Sequence, residues 1–173
     1  MSETSISRLA ILFVALSLMA SWSVRADAPN ACKFLTTAAV STALGKPVTG
    51  GGTTSVVDHV GATMSSCMYM AGQAMVLLAV DERGTANVAM QAYHSELEDS
   101  RSNDKTKKGA SDEQKTTLED GIGDGAFSND MTNGSVTSMT AVNGSRLIKL
   151  GIIGAGPLPH ERVRTLMQAA LSH

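Results

Sequence analysis

The stretch Ser135–Ile153, SVTSMTAVNGSRLIKLGII, decides the fold. Two runs rich in β-branched and aliphatic residues, Ser135–Val142 and Ser145–Ile153, flank Asn143-Gly144. Asn-Gly between such runs is the strongest short-range hairpin signal, because a two-residue turn needs residues that accept positive φ. In the second run Ile148, Leu150 and Ile152 share one face, and Leu147, Lys149 and Gly151 share the other. That alternation predicts an antiparallel sheet with one face on a core and one toward water. Beyond it, Pro157 and Pro159 lead into a helix whose Val163, Leu166, Met167, Ala170 and Leu171 make one apolar face.

Upstream, Met64–Tyr69 and Ala74–Val80 predict another hairpin, joined by Ala71-Gly72-Gln73. The second of these runs, AMVLLAV, is apolar on both pleat faces, which predicts a strand covered on both sides. Thr85–Glu98 carries Ala86, Ala89, Met90, Tyr93 and Leu97 on one helical stripe. Ser100–Thr116 has almost no apolar residue and reads as an exposed loop. Nearer the start, Ala38–Leu44 reads as a short helix capped by Thr36 or Thr37, with Gly45 at its C-terminal stop and Pro47 just beyond. Gly50-Gly51-Gly52 reads as a turn. The order is α-β-β-α-(loop)-β-β-(β)-α, an α+β fold in which helices pack an antiparallel sheet of hairpins.

The first segment reads as an address. Residues 1–8 are polar, Leu9–Ala20 is nearly unbroken apolar sequence, and Val24-Arg25-Ala26 resembles a processing site. The apolar run is well short of the about 20 residues that span a bilayer, so residues 1–26 read as a secretory signal peptide rather than an uncleaved anchor. Residues 27–173 are then a single secreted domain, periplasmic or fully secreted, with no membrane span after cleavage. The whole chain is 43% hydrophobic, 3% aromatic and of net charge −2, which excludes a basic nucleic-acid binder and a disordered acidic chain. Beyond the signal only Phe34, Tyr69, Tyr93 and Phe127 are aromatic, so the core must be aliphatic and thioether-rich.

The chain has two cysteines, Cys32 and Cys67. In an oxidising compartment an even count of two points to one disulfide. Closing that loop restricts the unfolded chain by about 3.5–4 kcal/mol on the loop-entropy model. A metal thiolate pair or a redox couple finds no C-x-x-C and no Cys/His cluster at zinc spacing.

Several short motifs carry a family resemblance. Cys32-x-x-Leu35-Thr36, Ala43-Leu44-Gly45-x-Pro47-Val48, Cys67-Met68-Tyr69 and Gly121-Ile122-Gly123-Asp124-Gly125-Ala126 resemble a family of small secreted bacterial envelope domains of unknown function. Many members of that family are lipoproteins. The resemblance implies paired cysteines and an α+β fold, and supplies no catalytic residues. This chain lacks the family's lipidated cysteine.

Gly121-x-Gly123-x-Gly125 invites a phosphate-loop reading, but such a loop must open a helix, and here Phe127-Ser128-Asn129-Asp130 follows as turn-like sequence. A tight turn is the simpler reading. No G-x-S-x-G or H-E-x-x-H occurs, and the four histidines are scattered. His59, Met64, Met68 and Met70 are different: imidazole and thioether suit Cu(I), and the three methionines share a strand face. The simpler reading is that methionine fills a core short of aromatics. The sequence therefore points first to a non-catalytic binding or interaction domain with no cofactor and an envelope protein as partner. The alternative is a soluble periplasmic copper-binding protein using His59, Met64, Met68 and Met70.

Overall fold

The computed structural model describes residues 29–49, 52–59, 62–106, 113–131, 134, 136–154 and 160–173. The expected signal segment, Gly50-Gly51, Pro157 and Pro159 lie outside the described residues. A 3-10 turn at Ala31–Lys33 and helix α1 (Thr37–Leu44) come first. Strands β1 (Thr53–His59), β2 (Ala62–Ala71) and β3 (Ala74–Glu82) follow, then helix α2 (Ala86–Thr106). Strands β4 (Gln114–Glu119), β5 (Gly125–Met131), β6 (Val136–Asn143) and β7 (Arg146–Ile153) precede helix α3 (His160–Leu171). The strands form one antiparallel sheet ordered β1-β2-β3-β7-β6-β5-β4. The fold is α+β, as the sequence predicts. Each half is an antiparallel meander followed by a helix, and the halves meet where β3 pairs with β7.

Local chemistry explains the predicted elements. The Thr36 side chain accepts a hydrogen bond from the Ala39 N–H at 3.1 Å, and Gly45 takes φ 64° to stop α1. The late hairpin turns at Gly144-Ser145, one residue beyond the expected centre, with Asn143 opposite Arg146 as its last pair. Gly144 supplies the positive φ of 58°.

One sheet face is covered by α1 and α3. Val76, Leu78, Val80, Met139, Ile148, Leu150 and Ile152 pack there against Val40, Leu44, Val163, Leu166 and Met167, all buried. The other face is covered by α2, whose Ala89, Tyr93 and Leu97 pack on Phe127, Val142 and Leu147. Cys32 and Cys67 form a disulfide that ties the 3-10 turn to β2. Beside it the buried Tyr69 hydroxyl donates to the Leu35 carbonyl at 2.6 Å, and burial pushes that hydroxyl's pKa above the ordinary value.

Three expectations need correction, and one strand went unforeseen. The expected loop at 100–116 is regular structure at both ends, because α2 runs on to Thr106 and β4 starts at Gln114, and residues 107–112 between them lie outside the described residues. Hydrogen bonds rather than apolar contacts dock this part of α2. The Asp104 carboxylate accepts from the Thr116 N–H at 2.9 Å and from its hydroxyl at 3.0 Å, while Asn129 donates to Ser100 at 3.2 Å. Gly125–Met131 is a strand rather than a turn, its polar side chains being paired laterally: Ser128 with Glu119, and Asn129 with Thr116. Strand β1, TTSVVDH, carries too weak an alternation to be read from sequence. Strand β3 is not covered on both sides: Ala74, Val76, Leu78 and Val80 are buried, but Leu77 is 40% exposed.

The Gly121–Gly125 segment is a tight turn. A Cβ on Gly123 would overlap the Val142 carbonyl oxygen, which instead accepts from the Asp124 N–H at 2.8 Å. The Asp124 carboxylate accepts from the Gly144 N–H at 2.7 Å, so this turn and the β6–β7 turn brace each other.

Candidate functional site: an open methionine face

Helix α2 lies over β4, β6 and β7. The Lys149–Glu96 ion pair, from β7 to α2, marks the border of the covered area. On the same sheet face α2 has no comparable contact with β3, β2 or β1, and Leu77, Met68 and Met70 are exposed there. The side chains projecting there follow from strand alternation. Cys67, Tyr69 and Ala71 are buried on the helix-covered face, so Met64, Ser66, Met68 and Met70 project from the open one. The register puts Val57 opposite Met64, Leu77 opposite Met68, Met75 opposite Met70, and Ile153 opposite Met75.

Met68, Met70, Met75, Leu77 and Ile153 form a contiguous apolar surface, with Met68, Met70, Leu77 and Ile153 between 37% and 41% exposed and Met75 half-buried. Val57 and Met64 form a separate pair beyond the row of Ser66 and Ala79. Single exposed hydrophobes are ordinary, but a joined set on one rigid sheet is characteristic of an interaction surface. The methionines therefore divide into two classes. Met139 and Met167 fill the core, as the composition suggested. Met68 and Met70 do not, since each lies opposite the packed face.

The same register spreads the four sequence-derived candidates along the sheet. His59 stands opposite Ala62, and Met64 opposite Val57 and Asp81. At about 3.3 Å rise per residue, Ala62 is roughly 26 Å along β2 from Met70, and Met64 roughly 13 Å from Met68. One ion cannot touch all four. Met68 and Met70 remain together, and Met75 joins them from β3. Among the described residues, no three of His, Cys, Asp and Glu are grouped to hold a metal ion.

A second concentration of polar groups lies on the other face, at the start of α3. Glu119 is buried, and its carboxylate accepts from Ser128 Oγ at 2.7 Å, His160 Nε2 at 2.9 Å and Arg164 Nη1 at 2.7 Å. Burial alone would raise its pKa, but the hydrogen bonds from Ser128, His160 and Arg164, with the charge of His160, hold it below the ordinary carboxylate value. Ser128 is fully buried and its hydroxyl is committed to Glu119, so this cluster acts as a clamp on α3 and offers no nucleophile to a substrate. Its members come from β4, β5 and α3, a combination no local spacing reveals. The open face did leave a signal: AMVLLAV is apolar on both pleat faces, and one of those faces is presented rather than covered.

A groove of about 400 Å³ separates α1 from α3, lined by Ala39, Thr42, Thr165, Leu166 and Ala169. Arg162 sits at its end, donating to the Ala43 carbonyl at 3.1 Å, which satisfies a free carbonyl at the C-terminus of α1. Among the described residues, no helix is long and apolar enough to cross a membrane.

No protein-family model matches the chain, and no curated protein matches it. Among solved structures it is similar to the extracellular domain of PknH from Mycobacterium tuberculosis. That likeness has 12% sequence identity and a TM-score of 0.51, and covers 80% of this chain and 90% of that one. It is a likeness of fold.

Proposed function

We propose that the chain is an exported, non-catalytic binding domain that receives an envelope partner protein on the open half of its sheet. The observation that carries this reading is the joined apolar surface of Met68, Met70, Leu77 and Ile153 on a strand set whose opposite face is fully packed. Burying such a surface on association contributes roughly 25 cal/mol per Å² of apolar area, the main driving term of protein contacts. Three features support export: the signal-like residues 1–26, the Cys32–Cys67 disulfide, and the likeness in fold to an extracellular domain.

A photo-crosslinking residue placed at Leu77 in the producing cell tests the reading, with the same residue at exposed Gln168 on α3 as control. The expected result is a discrete adduct from position 77 that is absent from position 168 and lost when Met68→Lys is added. Equal adducts at both positions, or none at 77, would overturn the assignment.

A further inference from the structure

We propose that Met68, Met70 and Met75 form a three-thioether site for one soft monovalent ion, Cu(I) or Ag(I), at the turn end of the β2–β3 hairpin. The inference stands on the register of three sulfur-bearing side chains and does not depend on the docking reading. Met70 and Met75 are direct cross-strand partners, one pair before the closing pair Ala71 and Ala74. Opposed residues in an antiparallel ladder have Cα atoms about 4.5–5.5 Å apart. Met68 lies two residues back on the same face, a spacing of about 7 Å. A methionine sulfur swings about the Cα–Cβ and Cβ–Cγ bonds, so three sulfurs from such a triangle can meet at a single point.

The backbone under the triangle is held from several sides. The Met70 carbonyl accepts from the Thr49 N–H at 2.8 Å, which closes β2 beyond Thr53, the first residue of β1. Met75 is paired with Met70 on one side and Ile153 on the other. The β2–β3 turn rests against the end of β7, where a Cβ on Gly154 would come within 2.7 Å of the Gln73 carbonyl oxygen. The ligands therefore start from fixed positions, and binding need order only side chains.

Donor chemistry sets the ion. The neighbours on this face, Leu77 and Ile153, are apolar, and the three donors are neutral thioethers. Calcium, magnesium and manganese need oxygen ligands, whereas soft Cu(I) prefers sulfur. Met68 and Met70 are 37% and 38% exposed, so an ion reaches the sulfurs from solvent without local unfolding. Cys67 contributes nothing, because it is buried on the opposite face in its disulfide.

The test titrates the disulfide-intact protein with Ag(I), followed by native mass spectrometry and by methyl NMR of the methionine ε-carbons. Cu(I) affinity is measured by competition with bathocuproine disulfonate. The expected result is one ion per chain, with Met68, Met70 and Met75 ε-methyl signals moving while those of core Met139 and Met167 stay fixed. Met70→Leu and Met75→Leu, which keep the apolar volume, are expected to weaken binding at least tenfold, and Met64→Leu to leave it unchanged. No complex beyond probe competition, shifts confined to other methionines, or equal weakening by Met64→Leu would each overturn the proposal. The methyl shifts are read on the unsubstituted protein, so they decide the matter even if a variant folds poorly.

Discussion

Glu119 on β4 accepts a hydrogen bond from His160 Nε2 at 2.9 Å, which fastens the first turn of α3 to the far edge of the sheet. Arg164, one turn further along the helix, holds the other carboxylate oxygen at 2.7 Å and also donates to the Asp120 carbonyl at 3.0 Å. Ser128 completes the set from β5. Two elements of the second half are thereby locked to a single buried carboxylate.

That carboxylate gives the fold an acid-sensitive component. Its folded pKa lies below the ordinary value. The stability it contributes is therefore complete above the unfolded pKa and is lost as pH falls through the folded one. Glu119→Gln is expected to flatten the loss of stability on acidification through the carboxylate range, measured by urea unfolding at a series of pH values. Glu119→Ala, which strands three donors, is expected to cost about 2–3 kcal/mol at neutral pH. That figure sits below the range for fully buried pairs because Arg164 and His160 are partly solvated. An unchanged pH profile for Glu119→Gln would show that other carboxylates dominate.

Gly52 is required by the disulfide. A Cβ there would overlap Cys67 Sγ and come within 2.8 Å of Cys32 Sγ and 3.2 Å of the Tyr69 ring. Gly52→Ala is expected to destabilise the oxidised protein by about 2 kcal/mol through overpacking. In a Cys32→Ala, Cys67→Ala background the same substitution is expected to cost much less, because both sulfurs are gone. The difference is a coupling energy that denaturant unfolding of the four proteins reads directly. Equal costs in both backgrounds would place the strain elsewhere.

Asp104 marks a limit of reading by hydrophobic period. The stripe Ala89, Tyr93 and Leu97 is legible, and the sequence accordingly predicts a helix ending near Glu98. The remaining turns carry Ser100 and Asp104, whose partners Asn129 and Thr116 lie on strands that the sequence does not announce. Periodicity reports apolar packing and is silent about polar docking, so this extension of α2 and strand β5 were invisible for one shared reason. Asp104→Ala is expected to speed amide exchange at Thr116 and through the last turns of α2, with a loss of about 1 kcal/mol in overall stability. Unaltered exchange in α2 would mean that the helix end holds without this contact.

Leu77 and Leu78 are neighbours in β3 with opposite fates, and they give the sharpest check on the open face. Leu78 is fully buried between the sheet and the helices α1 and α3, whereas Leu77 is 40% exposed. Nothing in AMVLLAV separates them, because a strand apolar on both faces reads the same whether its second face meets a helix, a partner or water. The residues that decide the matter belong to α2, whose main contacts are with β4, β6 and β7. Leu78→Ala is expected to cost about 3 kcal/mol from lost burial and the cavity left behind. Leu77→Ala is expected to cost less than about 1 kcal/mol, and Leu77→Lys to fold with a near-native unfolding midpoint, since its charge meets water. Urea unfolding of dilute protein measures all three. A Leu77→Ala loss equal to that of Leu78→Ala would mean that the face is covered in the isolated chain, and the proposed docking surface would then be part of the core.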